Sequence, residues 1–292
     1  TVSGPGPSGC NSIAAGIAVY EGAYANIHDN RIADIRDEKD GGMSGCQNGS
    51  AIIVGSQTYG TTGTADITNN EVVRYQKRGI LVENDGSSAT ITGNTVTGVG
   101  TTDIIGQNGI QVHYGANAIL TGNTVTNNSY HKEGNDADWE ASGILLWNSG
   151  DVTLAGGNEI SGNDVSVYVQ DTGTLTVGNE VFGPSSAPAE KALDFEYYGT
   201  GPVDLSEVTF AGAADDYDIE RLVWHKIDDP ALGMVEWVKG QVFAYDNDSL
   251  VAALNNAPEG STINLKAGEY ELGLTTIDRD LTVIGENKAT TI

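Results

Sequence analysis

One short unit recurs along most of this chain, and few folds can use it. Between residues 108 and 125 it reads NGIQVHYGANAILTGNTV. That is an apolar run (Gly109, Ile110, Val112), a turn at Tyr114-Gly115-Ala116, a second run (Ala118, Ile119, Leu120), a Gly122-Asn123 corner and Val125. The string returns as GIAVYEGAYANIHDNRI at 16–32, AIIVGSQTYGTTGTADITNNEV at 51–72 and GILVENDGSSATITGNTV at 79–96. It returns again as GILLWNSGDVTLAGGNEI at 143–160 and VSVYVQDTGTLTVGNEV at 165–181, with a worn copy, LDFEYYGTGPVDLSEV, at 193–208. Alternation along each copy puts apolar residues on one face and Thr, Ser and Asn on the other. No copy can bury its apolar face alone, whereas a stack of copies can, so the chain is expected to be a solenoid.

The corner asparagines set the register: Asn30, Asn70, Asn94, Asn123, Asn158 and Asn179, with gaps of 40, 24, 29, 35 and 21 residues. The shortest gaps are about one coil, so the longer ones contain insertions. These fall between the corner and the next apolar run, at 33–50, 97–108 and 126–142. Asn tolerates the left-handed backbone of a tight corner, and stacked Asn side chains can hydrogen-bond along a column. The competing fold, a β-sandwich with turn asparagines, needs no repeated unit.

From about residue 16 to 210, these residues resemble the right-handed parallel β-helix repeat proteins, a group that includes pectate lyases, polygalacturonases and many surface proteins. The resemblance implies an all-β, right-handed parallel β-helix. It is specific for fold and weak for function, because this architecture hosts many activities.

Charge and cysteines narrow the setting. The chain of 292 residues carries 40 acids against 14 bases, a net charge of −26. That argues against nucleic acid and anionic membranes as partners. It suits a salty habitat, divalent cations or simple solubility. No apolar run is long enough to span a bilayer, and no signal peptide is visible; the start at Thr1 reads as a mature or excised chain. Cys10 and Cys46 flank the first full coil in Gly/Ser-rich sequence. In an exported protein they are expected to form a disulfide worth about 3–4 kcal/mol; the alternative is two free thiols. An extracellular or cell-surface location is therefore expected.

Three segments follow: a β-helix body at 1–210, a linker at 211–242 and a different segment at 243–292. The linker shows helix-like spacing at 215–226 and a strand at 234–238. His225 and Asp228 lie three residues apart there, but two ligands without a third do not make a metal site. In the last segment an N-cap at Asp248 or Ser249 opens an amphipathic helix, and strands are expected at 262–265, 274–277 and 281–284. Gly260, Ile263, Leu265, Gly268 and Tyr270, then Leu281-Thr282-Val283-Ile284-Gly285, are similar to the way β-helix proteins begin, with a capping helix first. That suggests one period of a tandem array, or a subunit that completes a neighbour head to tail through Ile263, Leu265, Leu281 and Val283.

Candidate chemistry is sparse. A polygalacturonase-like site needs clustered aspartates with His and an Arg-x-Lys pair. None is found, since Asp215, Asp216 and Asp218 lie in the linker. A lyase-like site needs Ca²⁺-binding carboxylates and a basic residue; the evident cluster, Arg36 to Asp40, reads as a solvated loop. No cofactor is expected, and Ca²⁺ has no specific motif. The third insertion carries Tyr130, His131, Asp136, Asp138, Trp139 and Glu140, with His113, Tyr114 and Trp147 on neighbouring coils. Aromatics beside carboxylates suit a sugar-binding cleft; the alternative is a lid packing Trp139 on the solenoid. Thr-rich strands raise ice binding, but Asn117, Asp151 and the insertions interrupt the columns. The expected function is a non-catalytic structural or adhesive module, with self-association or glycans as partners. The alternative is a carbohydrate-binding or polysaccharide-cleaving protein working through the insertion face.

Overall fold

The computed structural model describes residues 1–5, 10, 15–39, 42–133, 140–187, 192–273 and 275–287. Successive coils contribute strands to three stacked parallel sheets, two of eight strands and one of six. The first sheet stacks Ala15–Val19, Ser50–Val54, Arg78–Glu83, Asn108–His113, Ser142–Ser149, Val165–Thr172, Leu193–Tyr197 and Val223–Trp224. The second stacks Ala23–His28, Gly63–Thr68, Ser88–Thr92, Asn117–Thr121, Val152–Leu154 and Leu175–Val177. The third runs from Val2–Pro5 through Arg31–Arg36 and Thr124–Tyr130 to Thr209–Phe210. The molecule is therefore a parallel β-helix.

Period-2 alternation fills the interior in columns. Ile52, Ile80, Ile110, Ile144, Val167 and Phe195 stand in register in the first sheet. Ile67, Ile91, Leu120 and Leu154 do so in the second. All ten are fully buried, and each contributes roughly 1.5–3 kcal/mol by leaving water. Equivalent residues stack because a parallel register repeats the same pleat position one strand spacing further on.

Asparagines bind the corner between the second and third sheets. Asn70 Oδ1 accepts from the backbone N–H of Asn30, Asn94 Oδ1 from that of Asn70, and Asn123 Oδ1 from that of Asn94, at 2.9–3.0 Å. Each Asn amide of the inner rungs also donates to the next oxygen up the column. The ladder differs from the expected one at its last step: Glu180 occupies the position assigned to Asn179. The strand register requires this, since Glu159 pairs with Val181 and so Asn158 lies opposite Glu180. The three insertions leave the third sheet and re-enter the first, at one corner of the coil.

The solenoid does not end at residue 210. Val223–Trp224 pairs with the first sheet and Val235–Glu236 with Val203–Asp204, so most of the expected linker is another coil. The short helix within it spans Asp216–Leu222, capped by Asp215. His225 and Asp228 form no ligand pair: Asp228 accepts the backbone N–H of His225, whose ring meets Glu220.

After that coil comes a parallel sheet of Gln241–Ala244, Thr262–Leu265 and Thr282–Gly285 with a helix at Asn247–Asn256. The helix N-cap is Asp246 rather than Asp248 or Ser249. Its carboxylate takes the Ser249 N–H, and the Ser249 hydroxyl closes the box. Residues 275–277 form no strand, and Leu274 lies outside the described residues. Alternate residues of Gln241–Ala244 face opposite ways. Phe243 packs on Tyr217 and Trp237 at the solenoid end, while Val242 and Ala244 join Leu250, Leu254, Ile263 and Leu265 in a second core. Ile263 and Leu265 are thus already buried within their own chain rather than available at a joint. Leu281 is partly buried against the same core, and Val283 is exposed.

Candidate functional site

The outward face of the first sheet concentrates the polar and aromatic chemistry. Parallel register makes rows of its outward residues. Arg78, Asn108 and Ser142 form one, Leu81, Gln111, Leu145, Tyr168 and Glu196 a second, and Glu83, His113 and Trp147 a third.

A hydrogen-bonded chain runs across these rows. Arg78 Nε and Asn108 Nδ2 both donate to Gln111 Oε1, at 2.9 and 3.0 Å. That orients the Gln111 amide so that Nε2 faces His113 Nδ1 at 3.3 Å. Nδ1 is then the acceptor, so the proton sits on Nε2 and is donated to Glu83 Oε2 at 2.8 Å. His113 is 5% exposed and its ring is held in a fixed orientation by these two contacts. Tyr114 packs on it with centroids 4.4 Å apart, and Trp147 lies 6.3 Å from Tyr114. Tyr114 and Trp147 stay 38% and 44% exposed, so a line of rings meets solvent over a polar floor.

Beside Trp147 a cleft of about 170 Å³ is lined by Lys77, Asn108, Glu140, Ser142, Leu145, Trp147, Tyr168 and Gln170. That is below the size of drug-like pockets and suits one small ligand group. Burial, reinforced by the charge of Arg78, lowers the Lys77 pKa to about 7. Burial also lowers that of Arg78. Lys77 closes the tight connection from Glu71–Val73 to Arg78–Glu83, and its ammonium donates to the Gly106 carbonyl.

Of the residues expected at a binding surface, His113, Tyr114 and Trp147 come together. Tyr130 and His131 do not join them in ring contact; Tyr130 ends a strand of the third sheet and takes its backbone partner from Asp164. Asp136, Asp138 and Trp139 lie outside the described residues. Lys77, Arg78, Glu83, Gln111 and Tyr168 were not anticipated. For Glu83, Gln111 and Tyr168 the signal was available in the alternation: each stands one residue from an interior position of a first-sheet strand.

Among the described residues, the grouping with metal-ligand chemistry is Cys10, Asp37 and Cys46. The two sulfurs are bonded to each other, which leaves one carboxylate and no metal site. No helix among the described residues is long and apolar enough to cross a membrane.

Stacked parallel strands, an interior of aliphatic columns and an asparagine-bound corner define a β-helix module with a decorated sheet face. Residues 50–183 match the family model described as right handed beta helix region, in agreement with the parallel β-helix architecture seen there. No curated protein and no solved structure matches the chain.

Proposed function

We propose that this chain is a non-catalytic, extracellular adhesive β-helix module that holds carbohydrate along the outward face of its first sheet. The observation that supports the reading is the exposed line of Tyr114 and Trp147 beside the Lys77 cleft. Sugar rings present an apolar face that stacks on aromatics and a rim of hydroxyls that pairs with side chains such as Asn108, Ser142 and Gln170. The rings rest on a sheet whose register is set by the core, so the surface is pre-organised and little ordering entropy is lost on binding. The Cys10–Cys46 bond supports an oxidising, extracellular setting. A glycan array followed by calorimetry tests the reading. Trp147→Ala should weaken binding of any captured glycan at least tenfold, and unchanged affinity in that variant would defeat it.

Self-association is a second reading, favoured by one observation. The strand Thr282–Gly285 is exposed along its length, with Val283 36% and Ile284 50% accessible, and its outer edge is unpaired among the described residues. Such an edge is a template for a further parallel strand. The opposite end of the stack, where Ile17 and Ala25 are partly open, would receive it in a head-to-tail contact. Sedimentation at high concentration, with and without Val283→Lys and Ile284→Lys, separates a monomer from an assembling chain.

A further inference from the structure

A buried carboxylate sits against the Cys10–Cys46 bond. Asp37 directly follows the third-sheet strand Arg31–Arg36 and is 1% exposed. One of its oxygens and the two sulfurs all lie within 4.8 Å of one another. The carboxylate is held from behind. Asp37 Oδ2 accepts from the Ser44 hydroxyl at 3.1 Å. The Ser44 oxygen in turn accepts from Gln76 Nε2 at 3.0 Å and from the Cys46 N–H at 3.3 Å. Gln76, on the next coil, also accepts the Asp37 N–H at 2.9 Å and donates to Cys46 O at 2.8 Å. Ser44 and Gln76 are themselves buried. This network fixes Asp37 and Cys46 without running through either sulfur. A cystine has no proton to give a carboxylate, so the bonded form does not explain why an acid is buried beside it.

We propose that reduction of the bond turns this corner into a site for a thiophilic divalent cation, Zn²⁺ above all, held by Cys10 Sγ, Cys46 Sγ and an Asp37 carboxylate oxygen with water in the fourth position. Two sulfurs and one carboxylate oxygen suit tetrahedral Zn²⁺, whereas Ca²⁺ and Mg²⁺ take oxygen ligands. Bonds of about 2.0–2.3 Å to one ion place its ligand atoms roughly 3–4 Å apart. The Cys10 and Cys46 Cα atoms are 5.0 Å apart, so side-chain rotation separates the sulfurs that far. A phosphine reductant gives two electrons to the disulfide and takes an oxygen from water, whose two protons pass to the sulfurs. Each thiol then yields its proton to solvent as its sulfur binds the cation. A small-molecule disulfide reverses this: it takes two electrons and two solvent protons, leaves as two thiols, and frees the ion. The ion and the cystine thus close the same loop in alternation. The entry segment stays tied to the first insertion in either redox state.

The test uses the full chain, reduced with a phosphine and desalted without oxygen. Co²⁺ is the probe, because thiolate ligation gives it an intense charge-transfer absorption that surface carboxylates do not. The reduced chain should bind a single equivalent of Co²⁺ with that absorption, and the oxidised chain should show none. Zn²⁺ should displace the Co²⁺, and excess Ca²⁺ should leave it in place. Zn²⁺ should also slow alkylation of both cysteines at least about tenfold. Asp37→Asn should weaken Co²⁺ binding by roughly 10–100-fold; unchanged thermal unfolding of its oxidised form confirms that the variant is folded. A second comparison needs no variant: the reduced chain unfolded in urea should bind Co²⁺ at least about tenfold more weakly than the same chain in buffer. Absence of the charge-transfer band in the reduced chain overturns the site. Equal affinity in Asp37→Asn does so too, since the carboxylate would then be no ligand. Equal affinity in urea would leave two thiols that owe nothing to the fold, and also defeats it.

Discussion

The backbone N–H of Asn158 donates to Glu180 Oε2 at 2.8 Å, so a carboxylate closes a ladder otherwise built of asparagines. The second Glu180 oxygen accepts from Gly156 N–H at 3.1 Å, which a shorter Asn side chain could not reach at the same time. Burial nevertheless raises the Glu180 pKa, with the hydrogen bonds from Asn158, Gly156 and Gly157 working the other way. The column ends on a group that accepts twice and donates nothing upward when ionised.

Cutting the ladder in its middle should be more damaging than its size suggests. Asn123 Oδ1 accepts from both the backbone and the side-chain nitrogen of Asn94, and its own amide donates to Ile91 O. Asn123→Ala strands those buried groups at about 1–3 kcal/mol each. Urea denaturation should show a loss above that range for one group; a loss below about 1 kcal/mol would mean the column is decoration.

Inward and outward strand positions should respond differently to truncation. Ile110 of the first sheet and Ile91 of the second are fully buried, while Ile119 is 50% exposed on the outward side of the second sheet. Ile110→Ala or Ile91→Ala should cost roughly 2–5 kcal/mol. Ile119→Ala should stay within about 0.5 kcal/mol of wild type. Equal effects would contradict the register.

A buried acid sets a pH dependence. Asp194 is fully buried and neither carboxylate oxygen has a hydrogen-bond partner. Ser166 lies near, but its hydroxyl proton goes to Ile160 O. Desolvation lifts the Asp194 pKa from its ordinary 3.8 to about 6. The folded state then holds this proton more tightly than the unfolded chain. Its contribution therefore falls as pH rises from the unfolded value through about 6 and above that is a constant cost of ~3 kcal/mol. Asp194→Asn should raise the melting temperature at pH 7, and the gain should disappear near pH 4. A variant less stable than wild type at pH 7 would show that the charged form is welcomed.

The Cys10–Cys46 bond closes a loop of 36 residues over the first coil. Reduction should lower stability by about 3–4 kcal/mol on the chain-entropy account. Mass spectrometry should find both cysteines refractory to alkylation until a reductant is added. Alkylation of both without reductant would rule the bond out.

The core of this protein was legible because its signal is periodic. Ile91 and Ile110 could be placed inside from alternation alone, since a repeated pleat leaves one side for apolar residues. The site was legible only in part. His113, Tyr114 and Trp147 could be linked because they sit at equivalent points of adjacent copies. Lys77 could not, because it lies in the short connection before the unit, where no periodicity marks which way a side chain turns. The late coil at Val223–Trp224 and Val235–Glu236 was hidden by the helix Asp216–Leu222, whose 3.6-residue spacing interrupts the pattern.

The sequence by itself determined the coil, its interior columns and the corner asparagines as far as Asn158, because each follows from local alternation, and it offered one cysteine pair to join. Tertiary structure decided which residues meet across coils. The step from Asn158 to Glu180 rather than Asn179 and the chain from Arg78 through Gln111 and His113 to Glu83 both depend on strand register. Register is fixed by the stacked core together with insertions of unequal length, and a one-residue slip would turn every one of these side chains to the other face.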